Sequence, residues 1–300
     1  MDKYLTHTDK LVNHIYWFYE DLDLKPVKKH YGLSINYSDI KERKDDFLSE
    51  LVNTIVSWVY NNSKSKSLLD DRFAESKDLG NAINFVTNQA YKKFRPGHPQ
   101  GQFGELLLFN LIQHYYKAVP ILRKQHITTS IGHERFGADA IHYKKNGDTN
   151  VFILGESKCY ESKYQFSSAF EKSLNSIVTT FDKLDSELDL YLYDDFIETE
   201  LEGVVNQYKK GELKDTKFEL VCLIIYNETK AISGNCENDI KDNIKQAIKY
   251  RCASFDKTKF DTIHANLLAR INYVVFPIWK LDELLNDFQT KVGSNDAGRT

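Results

Sequence analysis

Residues 136–160 read FGADAIHYKKNGDTNVFILGESKCY and predict a β-hairpin whose second strand runs directly into charged residues. Side chains at positions i and i+2 of a strand point to the same face, so Glu156 and Lys158 are expected to share a face. In a hairpin, the start of the first strand pairs with the end of the second. The side chain of Asp139 is therefore expected to converge with those of Glu156 and Lys158.

The chemistry of these side chains points to a metal site. Two carboxylates held together are unstable unless a cation neutralises them or one takes a proton. Mg²⁺ prefers one or two carboxylates together with waters and phosphate oxygens. Asp139, Glu156 and the backbone carbonyl of Ser157 are therefore predicted to bind Mg²⁺, for which Mn²⁺ could substitute. Lys158 is expected to orient or deprotonate the attacking water and to offset charge on a phosphate.

The 300-residue chain suits one large domain or two modest ones, and 41% hydrophobic residues supply a sizeable core. The stretch FRPGHPQGQ, residues 94–102, is rich in proline and glycine and is the best candidate boundary. We expect a mostly helical N-terminal region at residues 1–95 and a second domain at residues 96–300. In the first region, LVNHIYWFYEDL and KERKDDFLSELVNTIVSWVYNN predict helices, NNSKSKS a polar break, DRFAESKDLGNAINFVTNQAYKKF a further helix and YGLSINYSD a short strand.

From residue 101 onward the pattern is helix, three strands, helix, strand, helix, strand. GQFGELLLFNLIQHYYKAV and YQFSSAFEKSLNSIVTTFDKL are the first two helices, PILRKQHITTS precedes the hairpin, and FELVCLIIY and NYVVFPIW are buried strands. Mixed alternation of this kind predicts an α/β fold with a largely buried central sheet flanked by helices.

Bulk composition narrows the class of protein. The net charge of −3 means that any nucleic-acid partner is held by a local patch, a metal or another subunit. The four cysteines form no CxxC pair and are expected to be reduced thiols. A charged N-terminal segment and the lack of a sufficiently long apolar run predict a cytoplasmic protein with no membrane span.

The spacing of Asp139 and a Glu-x-Lys triplet 17 residues later, at the end of an apolar strand, resembles the PD-(D/E)xK nuclease superfamily. Glu105, in the helix QFGELLLFN, matches a further Glu often found in that superfamily. The resemblance implies a restriction-endonuclease-like core and Mg²⁺-dependent hydrolysis of DNA. Asp139 and Glu156 would hold the metal, Glu105 would assist directly or through water, and Lys158 would act on the water. The proline that names the motif is replaced by Ala138.

Over residues 100–280 the chain resembles the HamA family more closely, through its GADA and LGESK strands and the helix that follows them. HamA is the nuclease subunit of the Hachiman anti-phage system and works with a helicase, HamB. The resemblance implies a defence nuclease regulated by a superfamily 2 helicase subunit. Two alternatives stay open: a stand-alone restriction or repair endonuclease, and a non-catalytic scaffold that keeps the fold.

Residues 185–202 carry eight acidic residues and no basic one, interleaved with apolar side chains. Such a run repels DNA, and we hypothesise that it faces a partner protein or gates the site. Deleting residues 187–200 tests this: unchanged partner binding together with unchanged nuclease activity would rule it out.

Overall fold

In the computed structural model, which describes residues 4–94, 99–122, 138–161, 166–185, 188 and 199–293, the core is a mixed seven-stranded sheet. The strands are β1 (Ile15–Asp21), β2 (Lys29–Ile35), β3 (Tyr37–Ser38), β4 (Lys41–Glu42), β5 (Val119–Leu122), β6 (Ala140–Asn146), β7 (Thr149–Tyr160), β8 (Thr216–Asn227) and β9 (Ile271–Ile278). The sheet order is β1-β2-β9-β8-β7-β6-β5, and β3 pairs with β4 separately.

Helices cover both faces of this sheet. They are α1 (Asp9–Val12), α2 (Lys44–Asn53), α3 (Ile55–Val59), α4 (Asn62–Ser76), α5 (Leu79–Tyr91), α6 (Pro99–Tyr116), α7 (Phe166–Asp182), α8 (Thr199–Lys209), α9 (Glu237–Ala253), α10 (Ala265–Leu268) and α11 (Leu281–Gly293), with a 3₁₀ turn at Lys257–Phe260. The predicted α/β class with a central sheet flanked by helices is confirmed, and α8 is an element that the sequence analysis did not identify.

The hairpin and the buried strands agree with the predictions. β6 pairs antiparallel with β7, and Gly147 opens the turn between them with a φ of 59°, a conformation that glycine adopts without strain. β7, β8 and β9 run parallel to one another, and β9 is parallel to β2. Of the predicted strand PILRKQHITTS, only β5 falls on described residues.

Strand alternation divides the buried side chains into two layers. On one face, Val221 and Val274 pack in a cluster that includes residues of α6, α2 and α11. On the other face, Cys222 and Tyr273 pack against α7 and α9. The sheet is therefore buried on both sides through most of its length, as expected for parallel strands.

The first predicted helix is wrong, because most of LVNHIYWFYEDL forms β1 and only its first two residues belong to α1. β1 pairs antiparallel with β2 at the edge of the sheet. The run IYWFY is apolar throughout, so it fits a helical and a strand period equally well. Aromatic side chains favour strands, and pairing with β2 decides the outcome.

The predicted break NNSKSKS is also wrong, because it begins α4. The Asn61 side chain accepts a hydrogen bond from the Lys64 backbone N–H at 2.7 Å, which is an N-cap. The single helix expected after it is two helices, since Lys77 adopts a left-handed φ of 55° that ends α4. Asp78 then caps α5 by accepting from the backbone N–H of Asn81.

Buried contacts cross the expected boundary at residue 95. Phe47 and Phe103 lie in the same buried cluster, with ring centroids 6.5 Å apart. β1 and β2 also belong to the same sheet as the strands that follow residue 96. The division into residues 1–95 and 96–300 stays a prediction. Within the described part of the chain, every helix is too short or too polar to cross a bilayer.

A buried ion pair joins the end of β8 to α9. Glu228 is 3% exposed and accepts hydrogen bonds from Arg251 Nε at 3.0 Å and Nη2 at 2.5 Å. The backbone N–H groups of Thr229 and Lys230 also donate to it, each at 2.8 Å. Burial by itself raises the pKa of Glu228, but these hydrogen bonds outweigh it and the pKa is lowered. Glu228 is thus a satisfied structural carboxylate.

We expect Arg251→Ala to lower the free energy of unfolding by about 3 kcal/mol, because it leaves the Glu228 charge buried without its ion-pair partner. Urea denaturation at neutral pH measures the loss. Glu75→Ala is the control, since Glu75 pairs with Arg72 on the surface of α4 and such pairs contribute about 0.5 kcal/mol. Equal losses in the two variants would contradict the buried role of the first pair.

Candidate functional site

Asp139 lies one residue before β6 and is fixed against β7. Its backbone N–H donates to the carbonyl of Gly155 at 3.1 Å. Its Oδ2 accepts from the backbone N–H of Ser157 at 2.8 Å and from the Ser157 hydroxyl at 3.3 Å. The Asp139 carboxylate thus continues the hydrogen bonding of β7 beyond the end of β6, which brings it to the strand that carries Glu156.

Glu156 is buried at 1% exposure and points toward α7. Ser176 donates to its Oε2 at 2.7 Å, and Thr180 donates to its Oε1 at 2.7 Å. Ser176 and Thr180 are four residues apart on α7, so both hydroxyls reach the same carboxylate. Lys158 Nζ lies 3.2 Å from Glu156 Oε2, which confirms that these two side chains share a face of β7.

The Glu156 carboxyl is poorly stabilised as an anion. Burial, followed by the nearby charge of Asp139, raises its pKa from 4.5 to about 7, although Lys158, Ser176 and Thr180 act in the opposite direction. Asp139 can have this effect only if the two carboxylates are close enough to repel each other. The arrangement therefore favours uptake of a proton or a cation between them.

Ser157 occupies the other face of β7, where α6 approaches closely. A Cβ atom placed on Gly104 would lie 2.9 Å from the Ser157 hydroxyl, so the glycine allows the helix to sit against the strand. Glu105 follows Gly104 on α6 and is half-buried. These contacts join Asp139, Glu156, Ser157 and Lys158, whereas for Glu105 the observation is that it follows Gly104, the α6 residue that lies against Ser157.

The available donors are hard oxygens. The N–H and C=O of one strand residue point to the same side, so the carbonyl of Ser157 faces the side on which Asp139 binds its N–H. Across the residues that the structure describes, no three His, Cys, Asp or Glu side chains are grouped as metal ligands. Mg²⁺ keeps several of its water ligands and takes only a few oxygen ligands from a protein. Two carboxylates and one carbonyl match that requirement.

Sequence reasoning missed Ser176 and Thr180. Both lie in the predicted helix YQFSSAFEKSLNSIVTTFDKL, and Thr180 is buried next to the apolar positions Ile177 and Phe181. A hydroxyl within a buried helical stripe needs a hydrogen-bond partner. Thr180 in the apolar stripe of the predicted helix was therefore an indication that a polar side chain faces this helix. Most of the acidic segment at residues 185–202 lies outside the described residues.

The raised pKa of Glu156 predicts a specific dependence of stability on pH in metal-free buffer. Between pH 4.5 and 7 the folded state retains a proton that the unfolded state releases, so stability falls as pH rises through this window. We expect Glu156→Gln to lack this contribution. Its free energy of unfolding relative to wild type should therefore rise with pH by up to about 1.4 kcal/mol per unit, and level off above pH 7.

Urea denaturation at several pH values in the presence of a chelator measures this difference. Glu283→Gln is the control, since Glu283 is exposed on α11 and forms a surface pair with Lys280. Parallel profiles for Glu156→Gln and wild type would contradict the shift.

Comparison with known proteins gives one family. The family model described as HamA matches residues 9–292, which is nearly the whole chain. A search of curated proteins finds no significant match. HamA is a subunit of the Hachiman defence system, and a match of this extent includes both the site and the N-terminal strands. The chain belongs to the HamA family and thereby has a role in Hachiman anti-phage defence.

Proposed function

We propose that this chain is a Mg²⁺-dependent deoxyribonuclease with a PD-(D/E)xK-type site, acting in the cytoplasm. The convergence of Asp139, Glu156 and Lys158 at one edge of the β6–β7 hairpin carries this proposal. The order α6, β5 to β7, α7, α8, β8 supports it, because apart from the added helix α8 it matches the helix, three-stranded meander, helix and strand of restriction-endonuclease-like nucleases.

Asp139, Glu156 and the Ser157 carbonyl are the proposed ligands. Each carboxylate oxygen has two acceptor positions. Oε2 of Glu156 accepts from Ser176 and Lys158, whereas Oε1 accepts from Thr180 alone in the described part of the chain. Oε1 is therefore the atom with a position left for a cation. When bound, Mg²⁺ (or Mn²⁺ in its place) would supply Lewis acidity and neutralise the repulsion between the two carboxylates.

Lys158 is the proposed residue for the attacking water and the phosphate. Its side chain is 27% exposed while that of Glu156 is 2% exposed, so the ammonium reaches from the buried carboxylate toward solvent. A cation held by Glu156 would weaken the Glu156–Lys158 pair, and Lys158 would then act on phosphate oxygens. Glu105 would assist directly or through a water.

A helicase partner is part of the proposal. The net charge of −3 gives the chain little general attraction for DNA. We propose that a superfamily 2 helicase subunit of the HamB type delivers the DNA and restrains its cleavage.

One observation favours a second candidate, the non-catalytic scaffold. Glu156 is almost fully buried, and three side chains already hydrogen bond to it. A carboxylate of this kind also serves as a purely structural link between β7 and α7. On this alternative the chain would form the defence complex but would neither bind Mg²⁺ at Asp139 nor cleave DNA.

Degradation of plasmid and linear DNA by the purified protein, with and without the helicase encoded beside it, separates the candidates. We expect Mg²⁺-dependent cleavage by wild type, and a loss of about 100-fold or more in Lys158→Ala because a charge beside the reacting phosphate is removed. Lys145→Ala is the control, since Lys145 lies exposed at the far end of the same hairpin. Equal rates in all three proteins would end the assignment of Lys158.

Metal binding distinguishes a nuclease from a scaffold independently of cleavage. We expect Mn²⁺ titration by calorimetry to show one site in wild type and none in Asp139→Asn, which keeps the size of the side chain but removes its charge. A wild-type protein that assembles with the helicase, yet neither binds Mn²⁺ nor cleaves DNA, would establish the scaffold.

A further inference from the structure

A cleft of about 360 Å³ opens on the α6 face of the sheet, beyond Tyr116 at the end of α6. Its floor crosses the strands β1, β2, β9 and β8 through Tyr19, Tyr31, Asn272 and Lys217. Farther along the same strands, this face of the sheet is buried under α6. The sheet therefore leaves a concave, solvent-facing surface where the helix ends.

Aromatic side chains form one half of this cleft. Tyr19 and Tyr31 are directly opposite each other on β1 and β2, and their ring centroids are 4.6 Å apart. Tyr19 is 43% exposed, and Trp17, two residues earlier on the same face, is 48% exposed. Exposed aromatic rings on an open sheet surface are a platform on which nucleobases stack.

Cationic side chains form the other half. Lys28, Lys217 and Arg270 line the cleft, and none of them makes an ion pair with a carboxylate in the described part of the chain. Lys28 Nζ donates to the carbonyl of Ala269 and Arg270 Nη1 to that of Phe218, each at 3.1 Å, which fixes their positions. Glu219, the acidic residue of the lining, lies 3.7 Å from Lys144 outside it.

The charge environment of Lys28 indicates that the cleft suits an anionic group. Burial, and then the charge of Lys217, lower the pKa of Lys28, whereas Glu219 acts in the opposite direction. A group that brings negative charge would offset the repulsion between these two ammonium groups.

We propose that this cleft binds a nucleotide unit of a single-stranded nucleic acid, with the base stacked on Tyr19 and the phosphate held by Lys28, Lys217 and Arg270. The inference goes beyond the proposed nuclease function. Lys217 precedes Cys222, the partner of Glu156 on β8, by five residues, which is roughly 17 Å along the strand. Glu156 also points to the opposite face, toward α7. The cleft and the candidate nuclease site are therefore separate surfaces.

Fluorescence anisotropy of a labelled 12-mer of thymidine, at low salt and with a chelator to prevent cleavage, tests the proposal. We expect Tyr19→Ala and Lys217→Glu each to weaken binding about tenfold, since one stacked base or one phosphate contact is lost. Tyr250→Ala and Lys66→Glu are the matched controls, because Tyr250 is exposed on α9 and Lys66 is exposed on α4. The readout is binding in the presence of a chelator, so failure of the nuclease proposal leaves this test intact.

Competition with thymidine monophosphate shows whether the cleft binds a free nucleotide or requires an oligonucleotide. Competition at micromolar concentration would mean that a free nucleotide suffices, and competition only by the oligonucleotide would mean that flanking phosphates are required; either supports the cleft. Wild-type affinity in both Tyr19→Ala and Lys217→Glu would overturn the proposal. So would a loss in Lys217→Glu alone with equal competition by heparin, which would show a general anion surface without base stacking.

Discussion

The exclusion of water from the Glu156 carboxyl is the constraint on which the candidate site depends. β7 lies between β6 and β8, and α7 covers the face on which Glu156 lies, so the carboxylate obtains its hydrogen bonds from Ser176, Thr180 and Lys158. The contacts from Ser176 and Thr180 require α7 at one rotation and one height above the strand. The nearby charge of Asp139 then makes full ionisation costly. A rigid hairpin and a fixed helix thus hold two acidic groups in an arrangement that solvent alone would not maintain.

The hairpin and the central strands could be predicted because their signals are local. The apolar run before Glu156, the turn at Gly147 and the spacing to Asp139 determine the pairing without reference to the rest of the chain. The same holds for α6, α7 and β8, whose periodicities and apolar runs are long. These elements position Asp139, Glu156 and Lys158, so their convergence could be inferred from the sequence.

The edge of the sheet could not be predicted in this way. The segment that forms β1 is apolar at consecutive positions, and only its pairing with β2 selects a strand. The other neighbour of β2 is β9, which is distant in sequence. Ser176 and Thr180 were missed for a related reason. Their partner Glu156 is brought to α7 by the crossover from β7. The spacing of residues within α7 does not identify this partner.

The sheet separates two surfaces with different chemistry. Toward the carboxyl ends of β7 and β8, acidic groups lie under α7 in a nearly dry environment. At the amino ends of β8 and β9, tyrosines and basic residues lie in an open cleft beyond α6. A fully buried layer that includes Leu223 and Val274 lies between these regions. Substitutions in one region should therefore add approximately to those in the other, since the two regions lie on opposite faces of the sheet.

The parallel pairing of β2 with β9 has a consequence for biosynthesis. Tyr31 pairs with Val274, so 243 residues separate two neighbours in the sheet. The β1–β2 hairpin leaves the ribosome early, yet its inner edge acquires a hydrogen-bonding neighbour only after β9 has been translated. Closing so long a loop makes this step slow and leaves an unpaired strand edge on the nascent chain. The N-terminal strands are thus the part of this protein with the greatest need for a chaperone or for an early binding partner during synthesis.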